Sequence, residues 1–358
     1  MDSLPGPLTN QLSLDDPAAS ASCDAFVEKH PEGTPFHLTD WLRTLQETYG
    51  YLPFLPMVRD GDGKISGVFP AFLLRNRLWG TRLVSVPFSD YGGPLFIDPE
   101  AGRHFCHDLL DGRGRLYRSL EVRGSLCGGR ESEIVHTNYY KRHILHLSSD
   151  PEEVLKRVDK RTMQYSIRKA RKSGVTIRED NTGEGMEAFY RLNLLTRKKH
   201  GVPSQPKQLF SNLFRHMVAS GRAFILLAEY RSKAIAGGIF FRLGDTVYYK
   251  YNASDPAYLT AVTPNHLLSW HAIEHGCLQG YHRFDLGRTS PDNEGLMRYK
   301  AMWGSEPNNL QYYFHPVVQG ASSTEEKSIL YLFMTRIWRA LPDGIAEALS
   351  PRIYRYFG

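Results

Sequence analysis

The chain has 358 residues, enough for two domains or one large one, and its 41% hydrophobic and 23% charged content excludes a wholly disordered or fibrous protein. A net charge of +6 points to polyanionic partners such as RNA, a nucleotide-linked sugar or an anionic membrane surface. Cys23, Cys106, Cys127 and Cys277 are too sparse for a disulfide scaffold, and no apolar run predicts a transmembrane helix.

Residues 1–20 carry Asp2, Asp15 and Asp16 and no basic residue, so they read as a flexible lead-in rather than a secretory signal. A short helix is expected from Cys23 to His30, and a second over 39–49 with Thr39 as N-cap. Strands are predicted at 51–58 and 64–74. They are joined by Asp60-Gly61-Asp62-Gly63, a hairpin signal between apolar runs. Another strand at 82–87 runs into the sharply turning Ser89-Asp90-Tyr91-Gly92-Gly93-Pro94. A helix at 100–110 and strands at 115–123 and 143–147 complete an N-terminal domain over 21–147.

Asp150 and Pro151 mark the next helix start, as cap and first-turn proline. The helix they open, 151–174, is strongly basic. From 156 to 172 it holds Lys156, Arg157, Lys160, Arg161, Arg168, Lys169, Arg171 and Lys172 against Asp159, and Gly174 stops it. Helices follow at 186–200 and 206–220, then a meander of strands at 224–230, 234–243 and 246–252. A helix at 264–278, capped by Thr263, leads to a strand at 283–286, a short helix at 295–302 and a strand at 310–314. These elements make a C-terminal domain over 148–320, and the fold class is α/β, mixed sheets with flanking helices. Residues 321–358 are expected to form a helical tail that packs back on the domains. Its segment 328–340 reads alternatively as an interfacial helix in peripheral contact with a membrane.

Four segments carry a family resemblance. They are Pro87-Phe88-Ser89-Asp90-Tyr91-Gly92-Gly93; Arg161 followed by Ile167-Arg168-Lys169-Ala170-Arg171-Lys172-Ser173-Gly174-Val175; Phe284-Asp285-Leu286-Gly287-Arg288-Thr289; and Tyr299-Lys300-Ala301-Met302-Trp303-Gly304. In this order and spacing the chain resembles the FemAB-like aminoacyltransferases over most of 36–315. The resemblance implies two GNAT-like domains in tandem. It also implies an N-acyltransferase that moves an aminoacyl group from aminoacyl-tRNA to an amine of a lipid- or nucleotide-linked cell-envelope precursor of the peptidoglycan type. No cofactor is then expected beyond the donor substrate. The cysteine usage fits the cytoplasm, with peripheral contact at the inner face of the membrane as the alternative that the tail leaves open. Relatives in exopolysaccharide settings leave an alternative, an acyl-CoA-dependent N-acyltransferase acting on an amino sugar. A non-catalytic scaffold for a polyanionic envelope intermediate is a third reading.

By spacing alone Lys300 is a surface lysine on a short helix. The resemblance implies instead that Lys300, behind Tyr299, stands at the acyl-transfer site, where a fixed ammonium stabilises a developing oxyanion. Asp285, on a buried strand, and Arg288, at its C-terminal end, read either as part of a phosphate or carboxylate grip or as a structural ion pair. The cations of 156–172 repel one another at helical spacing, so an anionic partner is expected there, with Arg168 and Lys169 as substrate contacts. Asp90 either orients the acceptor amine and takes its proton or stabilises the turn; Tyr91 beside it is taken as a substrate contact. His104 and His107 lack a second ligand cluster, so no metal is expected. Residues 254–264 contain Asp255, Pro256 and Pro264 and no glycine, a poor cradle for the pyrophosphate of acetyl-CoA.

Overall fold

The computed structural model describes residues 10–76, 80–112, 114, 116–124, 126, 135–316 and, singly, 338, 350 and 354. They divide into two units. One runs to Tyr140 and takes in the strand residues from Asn309; the other is Lys141–Asn308.

In the first unit, residues 10–20 are not a loose lead-in. Leu12 and Leu14 are buried, and Leu12 N–H donates to Leu55 O at 2.8 Å. Asp16 accepts from the N–H groups of Ala18 and Ala19 and starts α1, Pro17–Lys29; Asp followed by Pro is the cap signal that places this start. Helix α2, Thr39–Tyr49, is flanked by Leu38 rather than capped by Thr39. Thr39 is held instead by Asp24, which accepts from its N–H at 2.8 Å and its hydroxyl at 2.9 Å. Prolines cut the two long predicted strands, because Pro supplies no ladder N–H. Pro56 separates β1, Leu52–Phe54, from β2, Met57–Arg59. Pro70 separates β3, Ile65–Val68, from β4, Ala71–Asn76. Then come β5, Gly80–Ser85, β6, Leu95–Phe96, α3, Pro99–Asp111, and β7, Ser119–Arg123. Strand β8, Val135–His146, leads into the second unit.

The main sheet of the first unit runs β1-β4-β5-β7, antiparallel but for the parallel β5–β7 pair. Residues 312–315 add to β7 antiparallel, Tyr312 opposite Arg123. Strands β2, β3 and β6 form a small separate sheet. Phe105 and Leu109 of α3 pack on Phe69, Leu83 and Leu120, closing the core.

His37 pins this unit to the Gly92-Gly93 turn. Its Nδ1 accepts from Thr34 N–H at 3.2 Å and from the Thr34 hydroxyl at 2.7 Å, and its Nε2 donates to Gly93 O at 3.0 Å. This pattern needs the neutral ring. Burial pushes the His37 pKa down to about 4, outweighing its backbone hydrogen bonds. The folded pKa lies below the ordinary value of 6.5, so the stability it confers is full above pH 6.5 and drains away as the pH falls towards 4. The total is roughly 3 kcal/mol. Urea unfolding at pH 5 and pH 7 should show about 2 kcal/mol of this loss, and His37→Gln should flatten it. An unchanged pH dependence in His37→Gln would count against the assignment.

The second unit opens with α4, Pro151–Arg157, capped by Asp150. The single basic helix expected over 151–174 is interrupted. Val158 is extended, Asp159 caps a π turn at Lys160–Gln164, and α5, Tyr165–Lys172, follows. The break is held by Asp159, whose N–H donates to Met302 O at 2.8 Å while its carboxylate accepts from Thr162 N–H at 2.6 Å. Strand β9, Thr176–Glu179, has no counterpart among the expected elements; it pairs with β10, Ala223–Tyr230. Helix α6, Gly183–His200, ends at Gly201 with φ +70°. Helix α7, Lys207–Leu213, continues into a π turn at Phe214–Val218.

Strand β10, β11 (Lys233–Leu243) and β12 (Thr246–Ser254) form the antiparallel meander. Helix α8, Pro264–Leu278, then crosses over to β13, Arg283–Thr289, which lies parallel to β12. Thr263 does not cap α8. It sits at φ +48°, and its hydroxyl donates to Ser166 O at 2.9 Å. Strand β13 pairs on its other side with residues 141–146 of β8. Helix α9, Glu294–Ala301, and β14, Glu306–His315, complete the order. The core of this unit gathers Val154, Met163 and Ile167 with Phe224, Phe240, Trp270 and Phe284. The tail helix expected at 328–340 lies outside the described residues, except for Trp338, which is buried. Among the described residues no helix is long and apolar enough to cross a membrane.

Candidate active site

Strands β12 and β13 pair only as far as Tyr248 and Asp285. Beyond that point β12 runs on to Ser254, while β13 bulges between Asp285 and Arg288 against β8. The bulge turns on Gly287, at φ +76°, a conformation in which a side chain would be strained. Its N–H donates to Asp285 Oδ1 at 2.7 Å. The other oxygen of Asp285 accepts from Arg142 Nε at 2.6 Å, so the ion pair of this buried carboxylate is formed with Arg142.

Lys300 comes to the bulge from α9. It is buried, 6% exposed, and its ammonium donates to Gly287 O at 2.9 Å and Arg288 O at 3.1 Å. The surface-lysine reading therefore fails. Ser305 donates to Lys300 O at 2.8 Å and lies 3.4 Å from His143 Nδ1; His143 Nε2 lies 3.3 Å from Met297 Sδ. Burial, and then the Lys300 charge, push the His143 pKa down to about 4, while Asp285 opposes the shift. The ring is neutral at pH 7 beside a fixed cation. Tyr299 stands next to Lys300 in α9, its ring edge-on to His266 at 5.9 Å and to Trp303 at 6.2 Å.

In the loop from β12 to α8, four backbone N–H groups are engaged within the protein. Asp255 N–H donates to Ile235 O, Ala257 N–H to Asp255 Oδ1, Tyr258 N–H to Asp255 O, and Val262 N–H to Tyr258 O. Asp255 also takes Lys233 Nζ at 2.9 Å. On α5, Lys169 donates to Thr260 O at 2.8 Å, so it braces this loop; Arg168 is exposed. Arg161, Arg171 and Lys172 are exposed too, whereas Ile167 and Ala170 of the same segment are buried.

In the first unit, residues 86–93 form a strained loop. Val86 and Phe88 sit at φ +40° and +60°, each costing about 1–2 kcal/mol in a residue with a Cβ. Surrounding groups over-determine the shape. Trp41 Nε1 donates to Ser89 Oγ at 2.8 Å, Arg123 donates to Ser89 O at 3.2 Å, and Tyr312 Oη donates to Asp90 O at 2.7 Å. A Cβ at Gly92 would lie 2.7 Å from Val86 Cγ2. Asp90 is half-buried in this loop, and Tyr91 is buried edge-on to Phe36 at 5.4 Å.

Residues 157–301 match the family described as Acetyltransferase (GNAT) domain. Among solved structures the chain is similar to FemX, at 16% identity and a TM-score of 0.65, covering 88% of this chain and 98% of that one. It is also similar to L-PGS from Bacillus licheniformis, at 12% identity and a TM-score of 0.55, covering 92% and 97%. A tandem GNAT protein from the clavulanic acid biosynthesis pathway, at 14% identity, gives a TM-score of 0.52 with 88% and 99% covered. The fold is a FemAB-like tandem GNAT fold. No curated protein matches the sequence.

Within the FemAB-like fold, the acyltransferase domain of the second unit brings Asp285, Arg288, Tyr299 and Lys300 together on β13 and α9. Arg168 and Lys169 lie apart from them on α5, and Asp90 and Tyr91 belong to the first unit. Sequence reasoning missed Arg142, His143 and Ser305. The available signal was a buried aspartate in need of a cation, with Arg142 just ahead of the strand predicted at 143–147.

Proposed function

We propose that this acyltransferase moves an aminoacyl group from aminoacyl-tRNA to an amine of a lipid- or nucleotide-linked cell-envelope precursor. The observation that carries the reading is the β12–α8 loop. A CoA pyrophosphate needs free backbone N–H groups at this helix entrance. Here the N–H groups of residues 255, 257, 258 and 262 all donate within the protein, around a carboxylate. An RNA donor needs no such cradle. It needs cations along a backbone, and the exposed Arg161, Arg168, Arg171 and Lys172 supply them.

An aminoacyl ester is already activated, so placement and charge suffice for chemistry. The acceptor nitrogen attacks the ester carbonyl carbon and negative charge builds on its oxygen; collapse then breaks the ester C–O bond, and the ribose oxygen leaves as a hydroxyl with the proton the amine gives up. Lys300 supplies the fixed ammonium that stabilises this charge. The carbonyls of Gly287 and Arg288 hold it in place beforehand. Arg288, at the end of β13, takes a ground-state phosphate or carboxylate. The acyl-CoA reading, with an exopolysaccharide amino sugar as acceptor, draws on the name of the matched acetyltransferase family.

Charge reversal tests the donor. Arg161→Glu and Arg168→Glu should weaken tRNA binding and make the slope of log affinity against log salt shallower by about 1 for each phosphate no longer neutralised. Wild-type affinity and slope in both variants would sink the RNA reading.

A further inference from the structure

The basic segment of the second unit carries an aromatic side chain that the fold itself does not use. Tyr165, at the start of α5, is 59% exposed. Among the described residues no other phenylalanine, tyrosine or tryptophan is exposed; the remaining exposed large apolar side chains are aliphatic. Among the same residues no ring, cation or hydrogen-bond partner is seated on it. Its backbone is nevertheless firmly set. Gln164 Nε2, at the end of the π turn, donates to Leu155 O at 2.8 Å and to Val158 O at 3.1 Å, and Ser166 and Ile167 on the other side are buried.

The cations around Tyr165 fall into two groups. Arg157 donates to His146 O at 2.6 Å, Lys169 donates to Thr260 O at 2.8 Å, and Arg171 lies 3.9 Å from Glu274. These are engaged within the protein. Arg161 stands four residues before Tyr165, Arg168 three after and Lys172 seven after, so they share its helix face. All three are exposed and hold no ion pair among the described residues. No Asp or Glu occurs from 160 to 178. One flat ring therefore stands between two guanidinium groups on a face without a carboxylate. A duplex would offer this face its phosphates but keeps its bases stacked on one another. An unpaired base offers a free π-face for the ring and flanking phosphates for the cations. An anionic membrane would attract the cations too, but an interfacial segment needs an apolar stripe, and here Tyr165 stands alone among Thr162, Arg168 and Lys172. The face also has a useful address. Helix α5 abuts the loop that follows β12 through Lys169, and through the Thr263 hydroxyl on Ser166 O.

We infer that Tyr165 is a stacking platform for an unpaired base at the single-stranded end of an RNA, with Arg161 and Arg168 on the phosphates to either side. The inference rests on the RNA-donor reading and deepens it. The cations respond to charge alone, which every nucleic acid carries, whereas Tyr165 tells a single-stranded end from a duplex.

Fluorescence anisotropy with the full-length protein tests it on three RNA probes. One is a blunt hairpin. The second is the same hairpin with a short single-stranded 3′ tail. The third carries abasic nucleotides in that tail, which keep the phosphates and remove the base faces. The wild type should bind the natural tail about tenfold more tightly than the abasic one. Tyr165→Ala should bind the two tails alike, and Tyr165→Trp should restore the difference, since a flat ring is what the base needs. Arg168→Glu should weaken binding of all three probes. A wild type that binds the abasic tail as well as the natural one, or a difference that survives in Tyr165→Ala, would overturn the platform and leave the RNA reading standing. A wild type that binds none of the probes would end the RNA reading and the platform with it. Vesicles of phosphatidylglycerol supply the last arm. Vesicle binding that disappears in Tyr165→Ala, with no difference between the RNA tails, would assign the face to a membrane and overturn the inference.

Discussion

Lys300→Met should lower turnover by about a hundred- to a thousandfold, the usual loss when one preorganised oxyanion stabiliser is removed, or roughly 3–4 kcal/mol. The loss should fall on kcat, because the charge matters most in the transition state. Burial adds a second expectation. Methionine leaves Gly287 O and Arg288 O without the donor they now share, so folding stability should fall by about 1–3 kcal/mol. The two effects are separated by assaying only the folded fraction. His143 gives an independent readout, since Lys300 is one cause of its depressed pKa. In Lys300→Met the His143 pKa should rise from about 4 towards 6.5, although burial still holds it down. An NMR titration follows it. Wild-type turnover with methionine at 300 would show that the transfer site lies elsewhere.

Arg142→Leu should be among the most damaging changes to stability. Asp285 is 1% exposed and its carboxylate faces Arg142 at 2.6 Å. Removing the guanidinium takes its ion-pair partner from a buried carboxylate, at a cost of about 3–5 kcal/mol. The double variant Arg142→Leu with Asp285→Asn should recover most of this. It removes the stranded charge, yet the Asn oxygen can still accept from Gly287 N–H. Chemical denaturation of the single and double variants measures both. A single variant within about 1 kcal/mol of wild type would mean that water already screens Asp285.

Much of the second unit was legible because its signals are local. The meander, its turns, the helix expected at 186–200 and the crossover to Arg283 follow from periodicity, although that helix starts earlier, at Gly183 behind the Thr182 cap. The parts that sequence reading missed are set by residues distant in the chain. Gly287 looked like a strand end, whereas the strand runs on to Thr289 through a bulge fixed by Lys300 and Asp285. The break at Val158 carries no Gly or Pro; Asp159 competes for the chain through its cap and through Met302 O. Lys300 is polar in sequence and buried in structure because α9 lies against two carbonyls of β13. No helical period announces that. The Asp16-Pro17 start was a local signal that the acidic, proline-containing lead-in obscured.

The most direct measurement is transfer itself. Purified protein is given lipid- and nucleotide-linked envelope precursors as acceptors, with either radiolabelled aminoacyl-tRNA or radiolabelled acetyl-CoA as donor. Label should pass from tRNA to the precursor in a linkage stable to mild base, as an amide is and an ester is not, and should not pass from acetyl-CoA. Label moving from acetyl-CoA alone would contradict the aminoacyl-tRNA reading and would mean that the β12–α8 loop opens its N–H groups to a pyrophosphate.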